Sequence, residues 1–328
     1  MAELRLDPQL MIGDAWDDYA LLDSGHGRKL ERFGPYRFVR PEPQAMWSPR
    51  QADWQADGEF VPGADEDGGG RWDLSPEVAD SWELAWDDVR FRAQCTPFRH
   101  LGFFPDMAPV WEWMRGRLDP PQNGEGDHPE GGGGAGSPQG PLRQPRGAAA
   151  TSPDGGGSST LNMFGYTGVG SLALSRCGPV THVDASKKSV AQARENAALA
   201  GMEDRPIRWL VDDAAKFAAR EVRRENRYDG IILDPPKFGR GPKNETWRIE
   251  EDLAPLIADC RRLLDDNSRF LFLTVYAVRM SSLSLAALLD EVFADAPGVV
   301  EHGDLGVREE GGGRVLPTAI FARWRNPA

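Results

Sequence analysis

Between residues 161 and 324 the chain alternates short apolar runs with longer stretches of helical periodicity, and few folds accept that pattern. The runs 161–164, 180–184, 207–211, 230–233 and 270–275 are of strand length and almost continuously apolar. Between them, 169–176, 187–200, 214–224, 249–264 and 281–293 carry apolar residues three and four positions apart, the spacing of one helix face. Strands apolar on both faces, separated by helices, predict a mostly parallel sheet covered on both sides. Beyond the last helix, 298–307 and 319–324 read as two more strands joined around Glu309-Glu310-Gly311-Gly312-Gly313. No helix fits between them, so they form a hairpin and the last strand runs antiparallel. The expected fold of residues 159–328 is therefore α/β, a doubly wound, seven-stranded, mostly parallel sheet.

Upstream, residues 1–95 read as a small β-rich N-terminal domain. Tyr36-Arg37-Phe38-Val39-Arg40 and Val89-Arg90-Phe91-Arg92 alternate as strands with one buried face, and clusters such as Asp67-Gly68-Gly69-Gly70 separate such runs. Residues 96–119 form a connecting segment with a short helix at 107–118, which sets Val110, Trp111 and Met114 on one side. Residues 120–158 hold 12 Gly and 7 Pro and no aromatic residue, too little apolar surface to offset ordering entropy, and are expected to be a disordered insertion.

Three scattered cysteines, Cys95, Cys177 and Cys260, argue against a disulfide scaffold or a zinc site, and no metal is expected. No apolar run reaches membrane-spanning length. The first residues have neither the basic start and apolar stretch of a secretory signal nor an Arg/Ser-rich leader, so a cytoplasmic location is expected. The net charge of −13 is uneven: residues 1–119 hold 13 Lys and Arg against 23 Asp and Glu, residues 160–328 hold 23 against 24.

The chemistry concentrates at the strand ends. The first strand runs into Phe164-Gly165-Tyr166-Thr167-Gly168-Val169-Gly170, a glycine-rich turn that lets backbone approach a ligand. Its G-x-x-G-x-G spacing differs from the dinucleotide fingerprint. The second strand ends at Asp184, followed by Ala185 and Ser186. An acid there can accept both hydroxyls of a ribose, or Asp184 or Ser186 can simply cap the next helix. The third ends in Asp212-Asp213-Ala214, where Asp213 can bond an adenine amino group, cap a helix, or do both. The fourth ends in Asp234-Pro235-Pro236-Lys237-Phe238-Gly239. Two prolines cannot continue a parallel strand, so they fix a rigid turn at the edge where open α/β sheets bind ligands. Asp234 can face an amine or a cationic cofactor, and Phe238 can stack on a planar base.

These segments together resemble the class I S-adenosylmethionine-dependent methyltransferases, with their Rossmann-like sheet, that modify bacterial large-subunit ribosomal RNA at cytosine C5 or guanine N7. The resemblance covers residues 98–324 apart from the insertion. It implies S-adenosyl-L-methionine as cofactor, held by Phe164, Gly165, Tyr166, Thr167, Gly168, Asp184, Ala185, Ser186, Asp213, Ala214 and Asp234. It also implies catalysis around Asp234, Pro235, Pro236 and Phe238, and an RNA partner. His100-Leu101-Gly102-Phe103-Phe104-Pro105-Asp106 resembles the family's segment ahead of the glycine loop, which implies that Asp106 helps enclose the cofactor; Met107 and Ala108 replace the family's Gln and Arg. The N-terminal 95 residues do not match the relatives' RNA-binding module. The basic residues Lys237, Arg240 and Lys243 after the Asp-Pro-Pro turn are candidates for the RNA backbone.

Relatives that methylate pyrimidine C5 carry a cysteine nucleophile after the fifth strand, where this chain has Thr274-Val275-Tyr276-Ala277-Val278. Transfer to nitrogen needs alignment but no covalent step, which favours a nitrogen target. The competing readings are a nicotinamide-dependent oxidoreductase, disfavoured by the glycine spacing, and a catalytically silent binding protein of the same fold. Replacing Cys95, Cys177 and Cys260 by Ala or Ser is accordingly expected to leave methyl transfer intact in protein that stays folded. A cysteine-dependent adduct trapped with a 5-fluoropyrimidine RNA would overturn the non-covalent route.

Overall fold

The protein is described by a computed structural model covering residues 2–63, 69–118, 158–276 and 278–327. The Gly/Pro-rich insertion expected at 120–158 lies outside the described residues, Ser158 excepted.

Two short strands open the chain, β1 (Ala2–Leu4) and β2 (Gln9–Gly13). A five-stranded sheet follows: β3 (Tyr19–Gly25), β4 (Arg28–Phe33), β5 (Tyr36–Pro41), β6 (Gly58–Pro62) and β7 (Gly70–Leu74). The hairpin of β8 (Trp82–Trp86) and β9 (Val89–Ala93) leads through residues 94–107 to helix α1 (Ala108–Leu118). Strands and helices then alternate: β10 (Thr160–Met163), α2 (Val169–Leu174), β11 (Val180–Asp184), α3 (Lys187–Leu199), β12 (Ile207–Val211), α4 (Ala214–Arg223) and β13 (Gly230–Leu233). A small hairpin, β14 (Phe238–Arg240) and β15 (Thr246–Arg248), precedes α5 (Ile249–Arg262), β16 (Phe270–Val275), α6 (Ser282–Val292), β17 (Gly298–Arg308) and β18 (Val315–Arg325).

The large sheet runs β1-β17-β18-β16-β13-β10-β11-β12, with β2 also on β17. Its seven C-terminal strands form the expected sheet, and β18 is antiparallel to both neighbours. Side chains alternate between two layers. Ile232, Phe270 and Phe272 face Trp111, Met114 and Leu172 on α1 and α2. Ile231, Leu233, Leu271 and Leu273 face Phe217, Ile257 and Leu289 on α4, α5 and α6. Strands buried on both faces explain why these segments read as unbroken apolar runs.

The sequence boundary at residue 95 does not separate two cores. Tyr19, Phe33, Phe38, Trp82 and Phe91 of the N-terminal region share one continuous cluster with α1, α2 and β16. In addition, β1 and β2 join the large sheet in parallel register with β17, making nine strands where seven were expected. Neither is long or apolar enough to signal that pairing in the sequence.

A buried ionic cluster fastens the N-terminal sheet to the β17–β18 turn. Arg314 contacts Glu309 at 2.9 Å and Asp23 at 3.1 Å, and the Ser24 hydroxyl donates to Glu309 at 2.5 Å. Burial pushes the Asp23 carboxyl up. Hydrogen bonds from Trp54 and the amides of Arg50, Gln51 and Ser24 outweigh it and hold Asp23 below its ordinary range.

Gly303 on β17 faces β2 so closely that a Cβ there would lie 1.7 Å from the carbonyl oxygen of Gln9. Gly303→Ala is expected to destabilise the protein by about 1–3 kcal/mol, the usual cost of forcing a methyl group into packed structure. Urea unfolding checks this, and a wild-type midpoint would contradict the tight β2–β17 contact.

Candidate active site

Register brings the site together. Met163, Val183, Leu233 and Leu273 lie side by side across β10, β11, β13 and β16. One residue further on stand Phe164, Asp184, Asp234 and Thr274, all at the carboxyl edge of the sheet.

The turn after β10 is bent into an unusual shape. Phe164 (φ 61°) and Tyr166 (φ 49°) both adopt left-handed backbone without being glycine, a cost of about 1–3 kcal/mol each. The bend aims the Tyr166 amide at Asp184 Oδ2, 2.9 Å away. Gly165 lies on the buried His182 ring, where any Cβ would come within 2.5 Å. His182 Nδ1 shares a 2.9 Å hydrogen bond with Ser171, and burial lowers its pKa to about 3, so the ring is neutral. Two further loop residues are held by packing, and Thr167 lines a small adjoining cavity with Phe164, Gly165, Tyr166 and Asp234. Gly168 packs against Ala193 and Trp209 at the start of α2, and the Thr167 hydroxyl donates to Gly102 O at 2.6 Å.

A cavity of about 470 Å³ opens over the strand ends. Phe164, Tyr166, Asp184, Ala185, Ser186, Asp213, Ala214, Asp234, Pro235, Pro236, Lys237 and Arg240 all line it. Asp184 Oδ1 accepts from the Ser186 amide at 2.8 Å, so each of its oxygens already takes one amide and keeps a lone pair for a further donor. Burial raises its pKa, opposed by those two bonds. Of the two cap candidates, Ser186 caps α3, its hydroxyl accepting from Ser189 N. Asp213 caps α4 through Oδ1 and still faces the cavity, so both of its expected tasks are compatible.

At the inner end, Asp234 Oδ1 accepts from the Thr274 hydroxyl at 2.5 Å. Burial raises Asp234 to about 7 against that bond, and neighbouring Asp106 adds to the rise. Trp247 Nε1 donates to Pro236 O at 2.7 Å and clamps the Asp-Pro-Pro turn onto β15. Two expected residues stand outside the cavity wall. Phe238 is half exposed on β14, with the Arg240 guanidinium 5.8 Å from its ring centre, and Lys243 lies on the β14–β15 turn.

Asp106 does not line the cavity. It is buried against Tyr276 and Thr318, and burial raises its pKa against hydrogen bonds from both. His100 and Phe104 of the segment expected to enclose the cofactor line the cavity, and among the lining residues given no role by the sequence are Arg99, Trp247 and Tyr276. His100, lowered to about 4 by burial and by Arg40 and Arg99, shares a 3.2 Å contact with the Tyr166 hydroxyl. Arg99, Trp247 and Tyr276 carry no motif of their own, and the fold brings them to the strand ends. None of Cys95, Cys177 and Cys260 lines the cavity.

Residues 149–251 match the family model described as Conserved hypothetical protein 95. The chain is 38% identical to the S-adenosylmethionine-dependent methyltransferase from Agrobacterium tumefaciens, with a TM-score of 0.83 over 99% of this chain and 95% of that one. It is 30% identical over 119 residues to ribosomal RNA large subunit methyltransferase K/L from Shewanella pealeana, covering 35% of this chain and 16% of the relative. It is 32% identical over 148 residues to ribosomal RNA large subunit methyltransferase I from Shewanella amazonensis, covering 43% of this chain and 34% of the relative. The chain thus spans 16% and 34% of the length of these two relatives.

A carboxyl that titrates near 7 makes cation binding pH-dependent. Below about 7 Asp234 is protonated in the free protein, and a bound sulfonium favours its ionised form. Affinity for S-adenosylmethionine is therefore expected to rise with pH, by at most about tenfold per unit, and to level off above 7. S-adenosylhomocysteine, a neutral thioether, should lack that component, and Asp234→Asn should remove it. Calorimetry of both ligands across this range checks the point, and identical pH profiles would detach Asp234 from the cation.

Proposed function

Given that this chain belongs to the S-adenosylmethionine-dependent methyltransferases, we propose that it methylates a base of RNA, ribosomal RNA being the substrate class and a ring or exocyclic nitrogen the target. One observation carries the reading: Asp234 stands at the inner end of a cavity whose wall also holds Arg99, Lys237 and Arg240, none ion-paired among the described residues.

The residues present fit the cofactor. Asp184 keeps acceptor capacity on both oxygens for a ribose diol, Asp213 keeps Oδ2 for an adenine amino group, and Asp234 offers a carboxylate to a cation. S-adenosylmethionine supplies a methyl group already activated on a sulfonium. The work of the protein is then alignment and exclusion of water. Pro235 and Pro236, clamped by Trp247, hold Asp234 in place. With Oδ1 occupied by Thr274, Asp234 keeps Oδ2 for the acceptor: an exocyclic amine would release its proton to this oxygen as the N–CH3 bond forms and the methyl–sulfur bond breaks, whereas a ring nitrogen attacking with its free lone pair would need only alignment. With no cysteine on the wall, addition at a pyrimidine C6 lacks its nucleophile, which supports nitrogen over carbon. A silent binding protein would call for a blocked site, and the open cavity favours catalysis.

Mass spectrometry of ribosomal RNA nucleosides from cells with and without the gene tests the proposal, and the absence of any lost methylated base would sink it. In single-turnover assays Asp234→Ala is expected to slow transfer by about 10²–10⁴-fold, with a smaller change in S-adenosylhomocysteine affinity. A parallel loss of both would make Asp234 a binding group only.

A further inference from the structure

The stretch 96–104 leaves β9 and runs along the cavity wall, pinned on both sides. From the N-terminal sheet, Arg40 donates to Arg99 O at 2.8 Å while held by Glu31 in a buried ion pair at 2.6 Å, and Gly70 N donates to Pro97 O. From the glycine loop, Thr167 donates to Gly102 O, and the Tyr166 hydroxyl meets His100 Nδ1. So restrained, the strap still presents Phe98, 48% exposed, and Arg99, exposed and without an ion pair among the described residues.

Aromatic faces continue inward from Phe98. Its ring stacks on His100 (5.8 Å, 18°), His100 meets Phe104 at 5.5 Å, and Phe104 meets Tyr276 at 5.4 Å, beside Asp234. A second exposed aromatic, Phe238, adjoins Arg240 on the other strip of wall. A single exposed Phe signifies little. Two of them, each beside an arginine that lines the same cavity, with an aromatic series leading inward, have the chemistry of a path for unstacked nucleobases. Elsewhere the N-terminal region is strongly acidic, so a nucleic acid lying along it would be repelled and contact is confined to the cavity mouth.

We propose that the strap is a second RNA-binding wall: Phe98 stacks on a base next to the target and Arg99 pairs with a phosphate, so that the enzyme takes an unpaired strand and not a duplex. This rests on the RNA-base reading above. Because the strap is pinned beforehand, little ordering is needed on binding.

Full-length protein titrated with a fluorescein-labelled single-stranded RNA, and with the same sequence in a duplex, tests the proposal. Phe98→Ala is expected to weaken single-strand binding about fivefold to a hundredfold, with Phe98→Trp restoring it. Arg99→Ala should reduce the slope of log K against log salt by about 0.7, the value for one phosphate contact on a single strand. Circular dichroism and an unchanged thermal midpoint report that each variant is folded. If both Ala variants bind single strands as wild type does while Arg240→Ala weakens them, the strap proposal falls and the RNA reading stands. Preference for the duplex overturns the claim for an unpaired strand. A wild-type protein that binds neither RNA at low salt overturns the RNA reading and the strap with it, and makes a protein acceptor the better reading.

Discussion

The site depends on the in-register alignment of four parallel strands. With Met163, Val183, Leu233 and Leu273 abreast, the next residues fall into line as Phe164, Asp184, Asp234 and Thr274. A slip of one residue in β13 would exchange the environments of Ile231 and Ile232 and turn Asp234 away from Thr274. Register is held by burial, since every residue of β10, β13 and β16 is buried and each face has its own helical layer. The distortion at Phe164 and Tyr166 is tolerable only on so fixed a base, because the loop gains the Tyr166–Asp184 hydrogen bond in return for its strain.

A second level of order comes from buried charge. Asp23, Glu309, Arg50 and Arg314 tie the N-terminal sheet to the β17–β18 turn, and Glu31 with Arg40 and Tyr19 anchors the strap from behind. Apolar packing could supply similar stability, since the attraction within such pairs is largely offset by desolvation. What the ions add is direction: each carboxylate accepts from several donors at once, so the two sheets meet in one orientation. That orientation brings Arg99, His100 and Phe104 to the cavity.

Much of this was legible in the sequence. The strands β11, β12, β13 and β16 fall where the apolar runs lie, and Ser186 and Asp213 mark helix starts as cap chemistry requires. Asp184 and Asp234 were recognisable as acids at strand ends. What could not be read came from contacts between distant segments. Leu4 and Leu10 give no periodic signal, yet β1 and β2 complete the sheet. The β14–β15 hairpin follows two prolines and is held by Trp247, whose partner, Pro236 O, is set by the fold. The burial of Asp106 against Tyr276 and the bond of the Thr167 hydroxyl to Gly102 O likewise join segments far apart in the chain.

The pairing of β1 and β2 with β17 also bears on how the protein matures. Residues 2–13 leave the ribosome long before their partner, Gly298–Arg308, which is translated after every other described strand except β18. Through most of synthesis these two strands have no edge to join, and the sheet they close is bordered by the exposed side of an incomplete one. Contacts of this sequence separation slow the final closure and lengthen the time during which unpaired strand edges are open to other chains. The nascent protein is thus most vulnerable to misassembly just before β17 and β18 emerge, when the glycine loop and the three acid-tipped strands have already been made.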